Sequence, residues 1–236
     1  ASSLSMAIGG IIAVWYMCFA ARQLRPIRLK WSCRSLIYSI RNIGYQCTIG
    51  MSALMGECTM AVLALIGNYV FGAYLGDAGI GAFGIACYYT PFVYMIGNAV
   101  AQSAQPIISY NYGCGDSCRV RSTLRVALLA AVVCGGSVST AFVFFPYQLV
   151  ELFINTNEAA FPLAVKGFPL MATAFVFFIV NLTLIGYYQS VERVRPAMVF
   201  ALLRGIFFLV PCFLVLPLWF DETGIWIALG MSEMLT

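Results

Sequence analysis

Histidine is absent from this chain, which removes imidazole catalysis and histidine proton relays. Charge is scarce as well: 9% of the 236 residues are charged, against 62% hydrophobic, with a mean hydropathy of +0.90. A soluble domain does not get by on so little charge, and the apolar residues recur in runs of membrane-spanning length. These absences leave an all-α, polytopic membrane helical bundle lying in a lipid bilayer. Nine cysteines are scattered singly, many inside apolar runs, and read as small apolar side chains. Cys114 and Cys118 form the only close pair in a polar loop, and without histidine or further cysteine nearby they are a weak metal or redox signal. The net charge of +4 argues for no nucleic-acid partner, because the basic residues flank membrane segments. Paired intramembrane acids and nucleophile–base sets are missing too, so no enzyme is expected and no catalytic residue is assigned.

Seven apolar segments can be marked, at roughly 4–21, 43–75, 79–112, 124–150, 161–190, 197–219 and 224–236. The second, third and fifth exceed the twenty or so residues of a span and must tilt, kink or project. Of the thirteen basic residues, all but Lys166 fall in or beside alternate loops, Arg204 being grouped with the loop that carries Arg193 and Arg195. The positive-inside rule makes that side cytoplasmic, with the N-terminus outside and the C-terminus inside. Residues 22–42 alternate basic residues with Ile27, Leu29, Trp31, Leu36, Ile37 and Ile40, as in a segment lying on the inner leaflet. Ala1 opens at the edge of one apolar run and Thr236 falls inside another, so the chain is expected to be a piece of a longer protein.

One residue stands out. Glu57 lies within the apolar run GMSALMGECTMAVLALIG (50–67), with Arg41 the nearest basic residue before it and Arg119 the next after it. A carboxylate at the centre of a span costs on the order of 2.5–3.5 kcal/mol on insertion scales, so chains rarely leave one facing lipid. It reads as a functional site facing a wet interior; the structural alternative is a protonated glutamate bonded to a neighbouring helix. In the next segment Asn98, Gln102, Gln105 and Ser109 share one helical face, as either a wet pathway or an interhelical hydrogen-bond seam. Asn181 is a lone polar group that could face the same interior, and Asn68 follows Glu57 on its face but nearer the outer side. Gly113-Cys114-Gly115-Asp116 matches the GxGD pattern of intramembrane aspartyl proteases, but no second acid accompanies it, and it reads as a glycine-rich turn.

Three further stretches carry a resemblance: GMSALMGE leading to Glu57, NAVAQSAQPIISYNYG at 98–113, and the GYYQS–RPA turn at 186–197. In order and spacing the chain resembles the multidrug and toxin extrusion (MATE) transporters, nearest their bacterial multidrug-export branch. The resemblance implies twelve helices in two six-helix lobes around a central cavity. On that basis 1–21 is the last helix of the N-terminal lobe, 22–42 a cytoplasmic amphipathic linker, and 43–236 the C-terminal lobe, cut within its last helix. The N-terminal lobe of the same parent chain would then be its partner, and the bacterial inner membrane its location. The implied activity is export of amphipathic, often cationic compounds against inward Na⁺ or H⁺, with no other cofactor. The resemblance puts Glu57 at the position of a residue that couples cations in several members, which makes it the candidate Na⁺ ligand, and Tyr94 matches an aromatic position near it. Some relatives carry an acid in the fifth segment, where this chain offers only Asn181. A flippase of lipid-linked oligosaccharides shares such a cavity, and a seven-helix receptor shares the span count and orientation.

Overall fold

The computed structural model describes residues 2–23 and 33–236; the central part of the expected 22–42 linker, residues 24–32, lies outside the described residues. The chain divides into two units, Ala1–Cys47 and Thr48–Thr236. In the first, helix α1 (Ser2–Gln23) carries Leu4, Ile11, Val14 and Trp15 on an exposed apolar surface, with Trp15 stacked on Phe19. The helical run α2 (Cys33–Gly113) begins there and continues into the second unit. All-helical structure is what hydrocarbon demands, since only a helix or a closed barrel satisfies its backbone polar groups without water.

Among the described residues, four stretches are long and apolar enough to cross a membrane: Leu54–Gly113, Ser117–Phe144, Ala160–Ser190 and Val194–Met234. The first holds 60 residues. As a straight rod it would reach about 90 Å, three times the hydrocarbon thickness. It does not run straight. Gly76 takes φ 63° and ψ −154°, a conformation open to glycine and little else, and the chain folds back on itself there. Phe71 stacks on Phe83 at 4.7 Å and Ile80 covers Gly72, so residues nearly equidistant from Gly76 meet across two antiparallel arms. A second reversal lies at Asp221 (φ 46°, ψ −128°), which returns the end of α7 (Leu209–Met234) against its own beginning. The breaks expected between the second and third and between the sixth and seventh segments fall at these two residues.

Helix α3 (Ser117–Phe144) ends earlier than the expected 124–150 segment. The chain bends at Phe145, and Pro146, at the first position of the short helix α4 (Pro146–Glu151), starts a new axis. The expected 197–219 segment is also not one regular helix. Between α6 (Val194–Leu202) and α7 lies a wider π-turn, Leu203–Phe207. The GxGD-like sequence is a turn: Gly115 has φ 76°, and the Asp116 carboxylate accepts the Arg119 backbone N–H at 3.0 Å to cap α3.

Helix α5 (Ala160–Ser190) is the central strut, packed against α3, α4, α6 and α7 and the most deeply buried of the spans. Its Phe168 and Phe175 form an aromatic core with Phe142 of α3 and Tyr89 of α2; Phe142 lies 4.8 Å edge-on to Phe175. Phe144, Phe145, Phe177 and Phe207 point outward with Leu129 and Val133, which suits a lipid-facing rim. Apolar burial gives little drive between helices in lipid, so close backbone approach matters more. Gly135 provides it: a β-carbon there would stand 2.7 Å from the Val176 Cα, whereas the adjacent Gly136 faces open space. Gly135→Ala is expected to destabilise the bundle by about 1–3 kcal/mol through overpacking, and Gly136→Ala to be neutral or slightly stabilising. Thermal unfolding of the two variants in one detergent checks the pair, and equal melting temperatures would contradict this packing.

Candidate functional site

Folding back at Gly76 sets the middle of one α2 arm against the middle of the other. Glu57 and Tyr94 are nearly equidistant from that turn, and the Tyr94 hydroxyl donates to Glu57 Oε1 at 2.7 Å. A hydrogen bond from a neutral hydroxyl to a carboxylate is among the stronger kinds. Gly56 leaves room for the phenol beside it. Along the second arm Tyr94, Asn98, Ala101, Gln102 and Gln105 follow helical spacing and present one polar face. Leu182, Ile185, Gly186 and Gln189 of α5 form the opposite wall, and Gly186 lets that wall come close to Ala101.

Together these residues enclose a cavity of about 420 Å³, of a size to hold a small organic molecule. Glu57 is exposed into it and Tyr94 half-buried at its edge. Among the described residues lining it, Glu57 alone carries charge. At the edge of the cavity the same face turns into a seam: Gln105 Nε2 donates to Gln189 Oε1 at 3.3 Å, and beyond the lining Ser109 Oγ donates to the Ser190 carbonyl at 3.1 Å. The amide row thus serves as cavity wall at one end and interhelical glue at the other.

Glu57, Tyr94, Asn98, Gln102 and Gln105 are therefore brought together, and two other candidates are not. Asn68 lies farther along the first arm, exposed and outside the cavity lining. Asn181 is buried, its Nδ2 donating to both the carbonyl and Oε2 of Glu233 at 2.9 Å. Sequence reasoning misses Glu233 and places Arg204 with the cytoplasmic basic residues; the structure places Arg204 elsewhere. Its side chain is buried in the bundle at 2% exposure, and its Nε donates to Glu233 Oε1 at 2.7 Å. An arginine and a glutamate lying in two apolar runs either side of a turn were the available signal.

The family model for MatE matches residues 53–214, most of the chain and the whole cavity. This chain belongs to the MatE family. It is 28% identical over 168 residues to the probable multidrug resistance protein NorM of Rhizobium meliloti, a match covering 67% of this chain and 36% of that protein. Its fold is shared with a MATE transporter of Vibrio cholerae, VcmN (TM-score 0.83, 13% identity, 95% of this chain and 50% of that one). A MOP superfamily transporter from Pyrococcus furiosus superposes similarly (TM-score 0.81, 15% identity, 98% and 51%). The MATE multidrug transporter DinF-BH, solved in a ligand complex, is 25% identical with a TM-score of 0.69 over 83% of this chain and 44% of that one. The chain thus spans about half the length of the solved transporters it matches, and about a third of the NorM relative. It is a multi-pass protein of the bacterial inner membrane, and it shares the fold of the MATE transporters.

The cavity and the buried amide make opposite predictions for water access. In a cysteine-free version of the full-length protein, Gln102→Cys should react with a membrane-impermeant thiol reagent and Asn181→Cys should not. Equal labelling of the two positions would contradict the geometry.

Proposed function

We propose that this chain forms one lobe of a multidrug efflux transporter, exporting amphipathic and cationic compounds in exchange for Na⁺ or H⁺. The observation that carries the reading is Glu57 at the wall of a membrane-embedded cavity, hydrogen-bonded by Tyr94 and facing no basic residue within the lining. A carboxylate in such a place attracts positive charge, whether a proton, an alkali cation or a cationic drug. The donor set suits hard cations: Glu57 carboxylate oxygens, the Tyr94 hydroxyl and the amide oxygens of Asn98 and Gln102 are all oxygen ligands. The apolar patches of Leu182 and Ile185 across the cavity would take the hydrophobic part of an amphipathic compound.

Coupling follows from competition for one charge. When Glu57 is neutralised by the ion, the cavity loses its hold on a cationic drug; when the drug occupies it, the ion is excluded. A ligand biases a two-state transporter only through unequal affinity for its states, and here that inequality arises from how far the carboxylate is dried in each. In this reading the second lobe required for alternating access is the N-terminal half of the parent chain, and 22–42 is the linker between them.

Replacing the acid by its neutral isostere is the test. Glu57→Gln in the full-length protein should abolish cation-driven efflux of a fluorescent cationic drug while leaving membrane levels of the protein unchanged. Unaltered efflux and resistance in that variant would refute the role.

A further inference from the structure

Arg204 and Glu233 form a buried ion pair, and neither residue lines the cavity. Their exposures are 2% and 3%. Burying two ions costs several kcal/mol each, and a well-packed apolar pair of similar volume is often as stable or more so. The grip is also incomplete. Glu233 takes the Arg204 Nε, while Arg204 Nη2 is buried with no hydrogen-bond partner among the described residues. A guanidinium held only for stability would be expected to be gripped by both of its edges.

The positive end of the pair is linked to the cavity through one aromatic ring. The guanidinium carbon sits 4.0 Å over the Phe178 ring, and Phe178 meets the Tyr94 ring edge-on at 6.4 Å. Glu233 is held from the other direction by Asn181. The backbone supports this placement. Arg204 occupies the π-turn, whose extra residue per turn re-aims a side chain, and such turns concentrate at functional positions. The next residue, Gly205, is pressed against Thr59, two positions beyond Glu57 on the same arm.

We propose that Arg204 is a resident positive charge that sets how tightly the Glu57 cavity holds a lipophilic monocation, with Glu233 setting how much of that charge the cavity feels. The inference rests on the cation-binding reading of the cavity and adds a specificity-determining residue outside its lining. Its consequence is release: a lone carboxylate in a dry site would keep its cation, and an opposing charge behind the Tyr94 wall weakens that hold.

The test is equilibrium binding of tetraphenylphosphonium to the full-length protein in lipid nanodiscs. One unit charge at about 10 Å through an effective dielectric near 20 changes the binding of another by roughly tenfold. Arg204→Gln should therefore bind the probe about tenfold more tightly and Glu233→Gln about tenfold more weakly. The double variant Arg204→Gln/Glu233→Gln should return to within about threefold of the parent. Damage to the fold weakens binding in every variant, so tightening isolates the charge. If Arg204→Gln does not fold, the neutral double variant must still bind more tightly than Glu233→Gln alone; equal affinities overturn the proposal. Glu57→Gln separates the two readings. Loss of probe binding there with a flat Arg204 series overturns this inference alone, and unchanged binding there overturns the cavity reading as well.

Discussion

Hydrocarbon offers no partner to a polar group, and this single constraint accounts for where the polar side chains inside the bundle go. Glu57, Asn98 and Gln102 are turned into the cavity between α2 and α5, whereas Asn181, Arg204 and Glu233 are locked to other protein groups. Both solutions depend on helix reversals. Gly76 brings Tyr94 to Glu57, and Asp221 brings Glu233 to Arg204. Two hairpins thus each carry a carboxylate to a partner across the fold, one at a cavity wall and the other buried.

The aromatic and small residues serve the same constraint from the other side. A cavity in the middle of a membrane bundle survives only if the surrounding helices cannot collapse into it. The Phe142, Phe168 and Phe175 cluster stiffens α5 against α3 and α2, and Gly135 lets two of those helices meet backbone to backbone. Gly97 and Gly186 let α2 and α5 approach closely, against the Leu182 and Ala101 side chains respectively, beside the cavity that Leu182, Ala101 and Gly186 line. Rigid walls with one accessible charge make a site whose affinity responds to charge and drying rather than to side-chain rearrangement.

Much of this was legible beforehand because it follows from period and hydropathy. The apolar runs marked the helices, a lone acid in one of them marked Glu57, and four- and three-residue spacing placed Asn98, Gln102 and Gln105 on a single face. Tyr94 came from the resemblance, and its bond to Glu57 needed the exact position of the turn. Asn181 looked equivalent to the cavity amides because helical phase alone does not say which neighbour a face meets. Arg204 was hidden by a rule that is sound for loops: basic residues near span ends are counted as cytoplasmic, and nothing local announced the π-turn that rotates this one inward. Glu233 lay close to the last residue of the sequence, where a fold-back could not be inferred without its partner.

The account stands on Glu57 being reached by a positive charge from water. Difference infrared spectroscopy of the reconstituted full-length protein, with and without a cationic substrate, reads that event directly as a change in one carboxyl vibration. The account predicts a carboxyl band that shifts on substrate addition and disappears from the difference spectrum when residue 57 is glutamine. A spectrum with no carboxyl change, or one that persists unaltered in that variant, would contradict it.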